Sequence, residues 1–169
     1  MKKIIVALAV FIAGFSAEAQ LKTPQSSPKT TIVQSVGLTD VEINYSRPSA
    51  RGRVVFGNLI PFGKVWRTGA NENTTVSFSD DVVIDGKTLK KGKYSLYTIP
   101  KIESREIIFY KTTDNWGNPA EWKEENVALR TTVKPETLNK KVETFTIGVS
   151  GLDNNFAILE IYWENSYAA

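Results

Sequence analysis

Short apolar runs with a period of two dominate this chain. Val41, Ile43 and Tyr45 alternate with Glu42 and Asn44, and Val76 and Phe78 alternate with Thr75 and Ser77. The pattern returns at Val127, Leu129, Thr131 and Val133, at Phe145, Ile147 and Val149, and at Ala157, Leu159, Ile161 and Trp163. A period of two puts every apolar side chain of a run on one face of an extended strand. Further strands are expected over residues 31–36 and 107–110, and over the aromatic run from Tyr94 to Ile99, which Gly92 opens and Pro100 closes. Val82, Val83 and Ile84 lead into Asp85-Gly86, a strong hairpin signal. Asp153, Asn154 and Asn155 make the turn before the last strand. About nine short strands separated by turn residues predict a sandwich or barrel. One short helix is expected over residues 120–125, with Asn118 as its cap, Pro119 in its first position and Glu121 completing a capping box. The expectation is an all-β, single-domain antiparallel β-sandwich with one long ordered connection and one short helix.

Residue types that are missing narrow the chemistry. The 169 residues include no His and no Cys. A Ser-His-Asp triad, an imidazole base, a thiolate nucleophile, a disulfide and a Cys-type zinc site are all excluded. Neither a metal site, a cofactor nor a catalytic residue is expected. Lys2 and Lys3 precede twelve uncharged residues, 4–15, and Ala17-Glu18-Ala19 places small residues before Gln20. This is the layout of a secretory signal peptide. Twelve helical residues span about 18 Å, short of the roughly 30 Å hydrocarbon core. The reading is a signal peptide over 1–19, a flexible leader over 20–30 and a β-sandwich domain over 31–165, exported to the periplasm or the extracellular space, with no membrane span. Removing residues 1–19 leaves 19 basic and 17 acidic residues, far from the basic footprint of a nucleic-acid binder.

Residues 46–73 break the strand rhythm. A structureless loop of that length is uncommon unless it has a function. This one holds Val54, Val55, Phe56, Leu59, Ile60, Phe62, Val65 and Trp66, so an ordered, packed excursion is expected. Its charges are Arg47, Arg51, Arg53, Lys64 and Arg67 against Glu72 alone. Arg suits planar, bidentate recognition of carboxylate or phosphate. Two readings stay open. In one, the arginines pair with carboxylates such as Glu42 or Glu160 and pin the excursion to the sheet. In the other, some of them line an anion pocket walled by Trp66.

Several blocks here resemble a bacterial family. Tyr45-Ser46-Arg47-Pro48, Arg51-Gly52-Arg53, Phe56-Gly57 and Pro61-Phe62-Gly63 are followed by Trp66-Arg67-Thr68-Gly69-Ala70-Asn71-Glu72. Gly86-Lys87, the run from Gly92 to Pro100, Trp116-Gly117 and Trp163-Glu164 complete the set. Together they resemble the domain-of-unknown-function family with serial number twenty-nine eleven, across roughly residues 25–165. The resemblance implies a secreted or periplasmic β protein and brings no catalytic residue with it.

The candidate ligand-binding residues are Arg47, Arg53, Trp66, Arg67, Asn71 and Glu72. The turn at Gly69 can bring Arg67, Asn71 and Glu72 together beside a flat indole, which suits a sugar or a small anion. Alternatively, Trp66 is core, Arg67 pairs with Glu72 and Asn71 holds a turn. Three function classes follow: a binding module for a small anion or carbohydrate, an interaction protein that docks an envelope component, and a carboxylate-based hydrolase with Glu72 as one of its two acids.

Overall fold

The computed structural model describes residues 23–169. The expected signal peptide and the start of the leader lie outside the described residues. Ten strands follow: β1 (Lys29–Val36), β2 (Thr39–Ser46), β3 (Thr75–Phe78), β4 (Val82–Ile84), β5 (Lys87–Leu89), β6 (Gly92–Pro100), β7 (Arg105–Tyr110), β8 (Val127–Val133), β9 (Glu136–Ser150) and β10 (Ile158–Ala168). β5 was not expected as a separate strand. It is the return arm of the Asp85-Gly86 hairpin, where Asp85 (φ 49°) and Gly86 (φ 73°) both turn left-handed, as a tight two-residue hairpin requires.

The strands form three antiparallel sheets. One has the order β1-β2-β3-β6-β7-β8, and β9-β10 and β4-β5 are two-stranded. The alternation read from sequence explains the layering. Ile43, Val76, Leu96, Phe109 and Leu129 of the large sheet face Phe145, Ile147, Ile161 and Trp163 of β9-β10 and Leu89 of β5, all buried in one core. Full burial of such a side chain contributes about 1.5–3 kcal/mol, so this double layer carries most of the stability. The other face of the large sheet has a smaller core of Tyr97, Ile108 and Tyr110.

The expected helix over 120–125 does not form. Only Glu124–Asn126 make a single 3-10 turn. Asn118 donates its side-chain amide to the Val65 carbonyl (2.8 Å) instead of capping a helix. Trp122 packs on Tyr110 (4.6 Å) and Tyr97 (5.6 Å), and the Lys123 amide donates to Tyr110 Oη. A helix this short is marginal by itself, and burying one indole over two tyrosine rings outweighs it. Trp122 therefore pins residues 111–126 over the smaller core.

The leader also differs over its described part. β1 begins at Lys29 and Ser27 is buried, where a flexible leader was expected over 20–30. The Asn71 amide donates to Gln25 Oε1 and to the Ser27 carbonyl (3.1 Å each), and the Arg47 amide donates to the Pro28 carbonyl (2.9 Å). These bonds satisfy the backbone that a free tail would leave to water.

One buried charge has no countercharge. Arg105, at the start of β7, is 2% exposed. Its guanidinium lies over the Phe56 ring (4.2 Å) and donates through Nη2 to Ser166 Oγ (3.0 Å). Nε and Nη1 are buried without partners. Burial pushes its pKa down to about 10, which still leaves the group charged at neutral pH.

Candidate functional site

The excursion after β2 is ordered because the large sheet needs it. β3 pairs only with residues 92–95 of β6, so the second half of β6 would have a bare edge on that side. The excursion fills it. Trp66 and Thr98 exchange backbone hydrogen bonds (2.8 and 2.9 Å), the Gly63 amide donates to the Pro100 carbonyl (2.8 Å), and the Leu96 amide donates to the Thr74 carbonyl (2.8 Å). At its start the excursion crosses to β9, where the Phe145 amide donates to the Pro48 carbonyl and the Ala50 amide to the Glu143 carbonyl (2.8 Å each). It therefore stitches the two layers of the sandwich together.

Trp66 belongs to the core. It is 9% exposed, stacks on Trp163 (5.6 Å, 22°) and meets Phe145 edge-on (5.1 Å). Its Nε1 donates to the Gly69 carbonyl (3.1 Å). Of the two readings of Trp66, the core one holds: Trp163 is stacked on its ring, and the indole contributes only to a cavity wall. The next residues are bent tightly. Thr68, fully buried and β-branched, takes φ 52° and Asn71 φ 59°. Non-glycine residues held there cost roughly 1–3 kcal/mol each and gather at functional sites.

The six candidate residues do not converge on one point. Arg47 donates to the Phe145 carbonyl (3.0 Å) and Thr146 Oγ1 (2.7 Å), fastening the excursion to β9. Asn71 holds the leader. Arg53, Trp66 and Arg67 line a cavity of about 390 Å³ together with Arg51, Ser26 and Trp163. Among the described residues no Asp or Glu lines that cavity. Glu72 lines a second cavity, of about 360 Å³, with Asn73, Lys93, Asp114, Asn115 and Trp116.

Neither form of ion pairing expected for the arginines occurs. Among the described residues the salt bridges join Lys90 to Asp81, Lys101 to Glu106, Lys123 to Glu121, Arg130 to Glu106 and Glu124, and Lys141 to Glu164. None involves a cation of the excursion. Arg53 instead donates to the carbonyls of Ala50 (2.9 Å) and Ser49 (2.8 Å), which hold its guanidinium without neutralising it. Glu143 accepts the Arg51 main-chain amide at 2.6 Å. Arg67 Nε is buried without a partner.

The Arg67 side chain leans on Gly117, at φ 76°, where a Cβ would collide with Nη1. Gly117→Ala is therefore expected to cost about 1–2 kcal/mol through the left-handed backbone alone, and more through displacement of Arg67. The midpoint of thermal unfolding should fall by roughly 2–8 °C. The double substitution with Arg67→Ala should recover the part due to the collision, as a thermal double-mutant cycle will measure.

Main-chain carbonyls fix two amides behind the second cavity. The Gly117 carbonyl only accepts, so the Asn115 amide nitrogen faces it (2.8 Å) and also reaches Tyr97 Oη (2.9 Å). Asn115 Oδ1 then faces Asn73 Nδ2 and accepts from it (3.2 Å). Asn73 Nδ2 also donates to Ser95 Oγ (2.7 Å), whose own proton goes to the Thr112 carbonyl (2.7 Å). Asn73 Oδ1 is consequently left without a donor, although the residue is 7% exposed. Glu72 Oε2 is buried without a partner as well. A buried polar group left unpaired costs about 1–3 kcal/mol, so two acceptors side by side in the chain are an expensive arrangement.

The sequence reading named Arg51 among the cations of the excursion without choosing it as a site residue, and missed Asn73, Asp114 and Asn115. Glu72 and Asp114 are 42 positions apart, and only the return of the 111–126 connection over the sheet brings them to one cavity. The acidic side chains around β4 and β5 are all engaged within the protein. Asp80 accepts from Ser79 Oγ, Asp81 from Lys90 Nζ and the Lys91 amide, and Asp85 from Thr131 Oγ1. Among the described residues no group of three metal-ligating side chains is found, and no helix is long and apolar enough to cross a membrane.

No curated protein and no solved structure matches the chain. A family match does cover most of it, over residues 27–169, from the ordered end of the leader through all ten strands. The chain belongs to that family, whose description is Protein of unknown function (DUF2911).

Proposed function

We propose that the protein is an exported, non-catalytic binding module for a small anion, held in the cavity between the excursion and the end of the leader. The observation that carries this reading is the charge of the lining: Arg51, Arg53 and Arg67 contribute to it and, among the described residues, no carboxylate does and none of the three forms an ion pair. Arginines left unpaired beside a cavity are suited to a planar carboxylate or a phosphate group. The strained backbone at Thr68 and Asn71 supports the same reading, since strain of this kind persists where a site needs it. The signal-peptide layout of residues 1–19 supports export. A hydrolase is the weaker reading for this cavity, because it requires two acids and the lining has none.

Titration of the mature protein with inorganic phosphate and with citrate tests the proposal. Saturable binding is expected for at least one of them, weaker at high salt and lost on the double substitution Arg51→Ala/Arg53→Ala. Arg67→Ala should also weaken binding while moving the unfolding midpoint by less than about 4 °C, because no buried ion pair is broken. No saturable binding at millimolar concentrations, or binding that survives the double substitution, overturns the proposal.

A further inference from the structure

The second cavity lies on the opposite side of Asn71 in the chain from Arg67, and its character differs from that of the first. Its charged lining residues are balanced, Lys29 and Lys93 against Glu72 and Asp114. It therefore has no preference for a net charge. Asn73 Oδ1 and Glu72 Oε2 are both acceptors without donors. Asn73 cannot turn its amide to relieve this, because the Gly117 and Thr112 carbonyls fix the chain of hydrogen bonds behind it. The cavity also borders Trp116, which is 67% exposed, whereas Trp66 and Trp163 are buried.

We propose that this cavity is a binding site for a neutral carbohydrate. Sugar hydroxyls supply the donors that Asn73 and Glu72 lack, and the apolar face of a pyranose ring lies on the Trp116 indole. Both acceptor oxygens are buried, so the proposed binding includes an outward shift of residues 113–116. The site is independent of the arginine-lined cavity, and either proposal can fail without the other.

Intrinsic tryptophan fluorescence tests it, because Trp116 is the exposed indole at the site. The mature protein is titrated with maltose, cellobiose and N,N′-diacetylchitobiose. A saturable change is expected with at least one of these neutral disaccharides, insensitive to salt. A calorimetric titration with the same sugar should show affinity reduced at least about tenfold by Trp116→Ala and by Glu72→Ala, and unchanged by Arg53→Ala. Trp116 is exposed, so its substitution should leave the unfolding midpoint in place and the loss should be one of binding alone. The proposal is overturned if no disaccharide binds at millimolar concentrations, or if binding survives Trp116→Ala. It is equally overturned if Arg53→Ala abolishes binding, which would place the sugar in the first cavity.

Discussion

Trp163→Ala is expected to lower the midpoint of thermal unfolding by roughly 10 °C. The side chain is 1% exposed and is among the largest fully buried ones. It stacks on Trp66, meets Phe145 at 5.6 Å and donates Nε1 to the Glu143 carbonyl (3.1 Å). Truncating a buried tryptophan to alanine costs about 3–5 kcal/mol, part transfer and part cavity. At about 2–4 °C per kcal/mol for a domain of this size, the shift is large enough to read from one melting curve. Trp163 and Trp66 both line the arginine cavity, so the variant should also bind anions more weakly. Trp163→Phe keeps an aromatic ring against Trp66 and should fall between the two. A loss below about 1 kcal/mol for Trp163→Ala would mean that the two layers are not held together at this stack.

That stack shows which parts of the molecule were legible in sequence. The alternation at Phe145, Ile147, Ile161 and Trp163 assigns each of them to one face of a strand, and all four lie in the main core. The Asp85-Gly86 turn and the boundaries of β6 at Gly92 and Pro100 were equally local, since each depends on the backbone preference of one or two residues. The helix over 120–125 failed because its signal was local and the deciding interaction was not. Trp122 meets Tyr97 and Tyr110 from another part of the chain. β9 extends back through the polar residues Asn139, Lys140 and Lys141 to Thr137 and Glu136, which pair with Ser166 and Tyr167 of β10 across a register shift, and no periodicity reveals that pairing.

The site was legible as a segment but not as a geometry. The excess of arginine and the run of apolar residues marked residues 46–73 as cationic and ordered. They did not show that Arg47 would be committed to β9 while Arg53 and Arg67 border a cavity. In the span from Trp66 to Glu72, consecutive side chains go to different places: Trp66 to the core, Arg67 towards Gly117, Asn71 to the leader and Glu72 to the second cavity. The left-handed turns at Thr68 and Asn71 produce this divergence. Thr68 gives no local signal of such a conformation, whereas Asn71 is a residue type that tolerates it, so the sequence left convergence beside Gly69 open against a turn held by Asn71.

Arg105→Met is expected to stabilise the protein, against the usual direction for a core substitution. A charge taken out of water needs a countercharge or full hydrogen bonding, and Arg105 has one hydrogen bond and one aromatic face. The lowering of its pKa to about 10 corresponds to a desolvation penalty of about 3 kcal/mol. Because the folded-state pKa of this base lies below its unfolded value, the unfolded chain binds more protons between those two values, and the penalty applies in full at every lower pH. Methionine fills a similar volume with no charge. It forfeits the bond to Ser166 and the contact with Phe56, worth about 0.5–2 kcal/mol for the latter. With about 1 kcal/mol for the lost hydrogen bond, the net gain should be about 0–1.5 kcal/mol, a rise of up to roughly 6 °C in the unfolding midpoint. Arg105→Ala should instead destabilise, because it also leaves a void beneath Phe56. If Arg105→Met lowered the midpoint as well, the charge would have to be compensated in solution. The free Nε and Nη1 donors would then identify the compensating group as an anion or an ordered water, and an added dependence of the wild-type midpoint on phosphate concentration would separate those two.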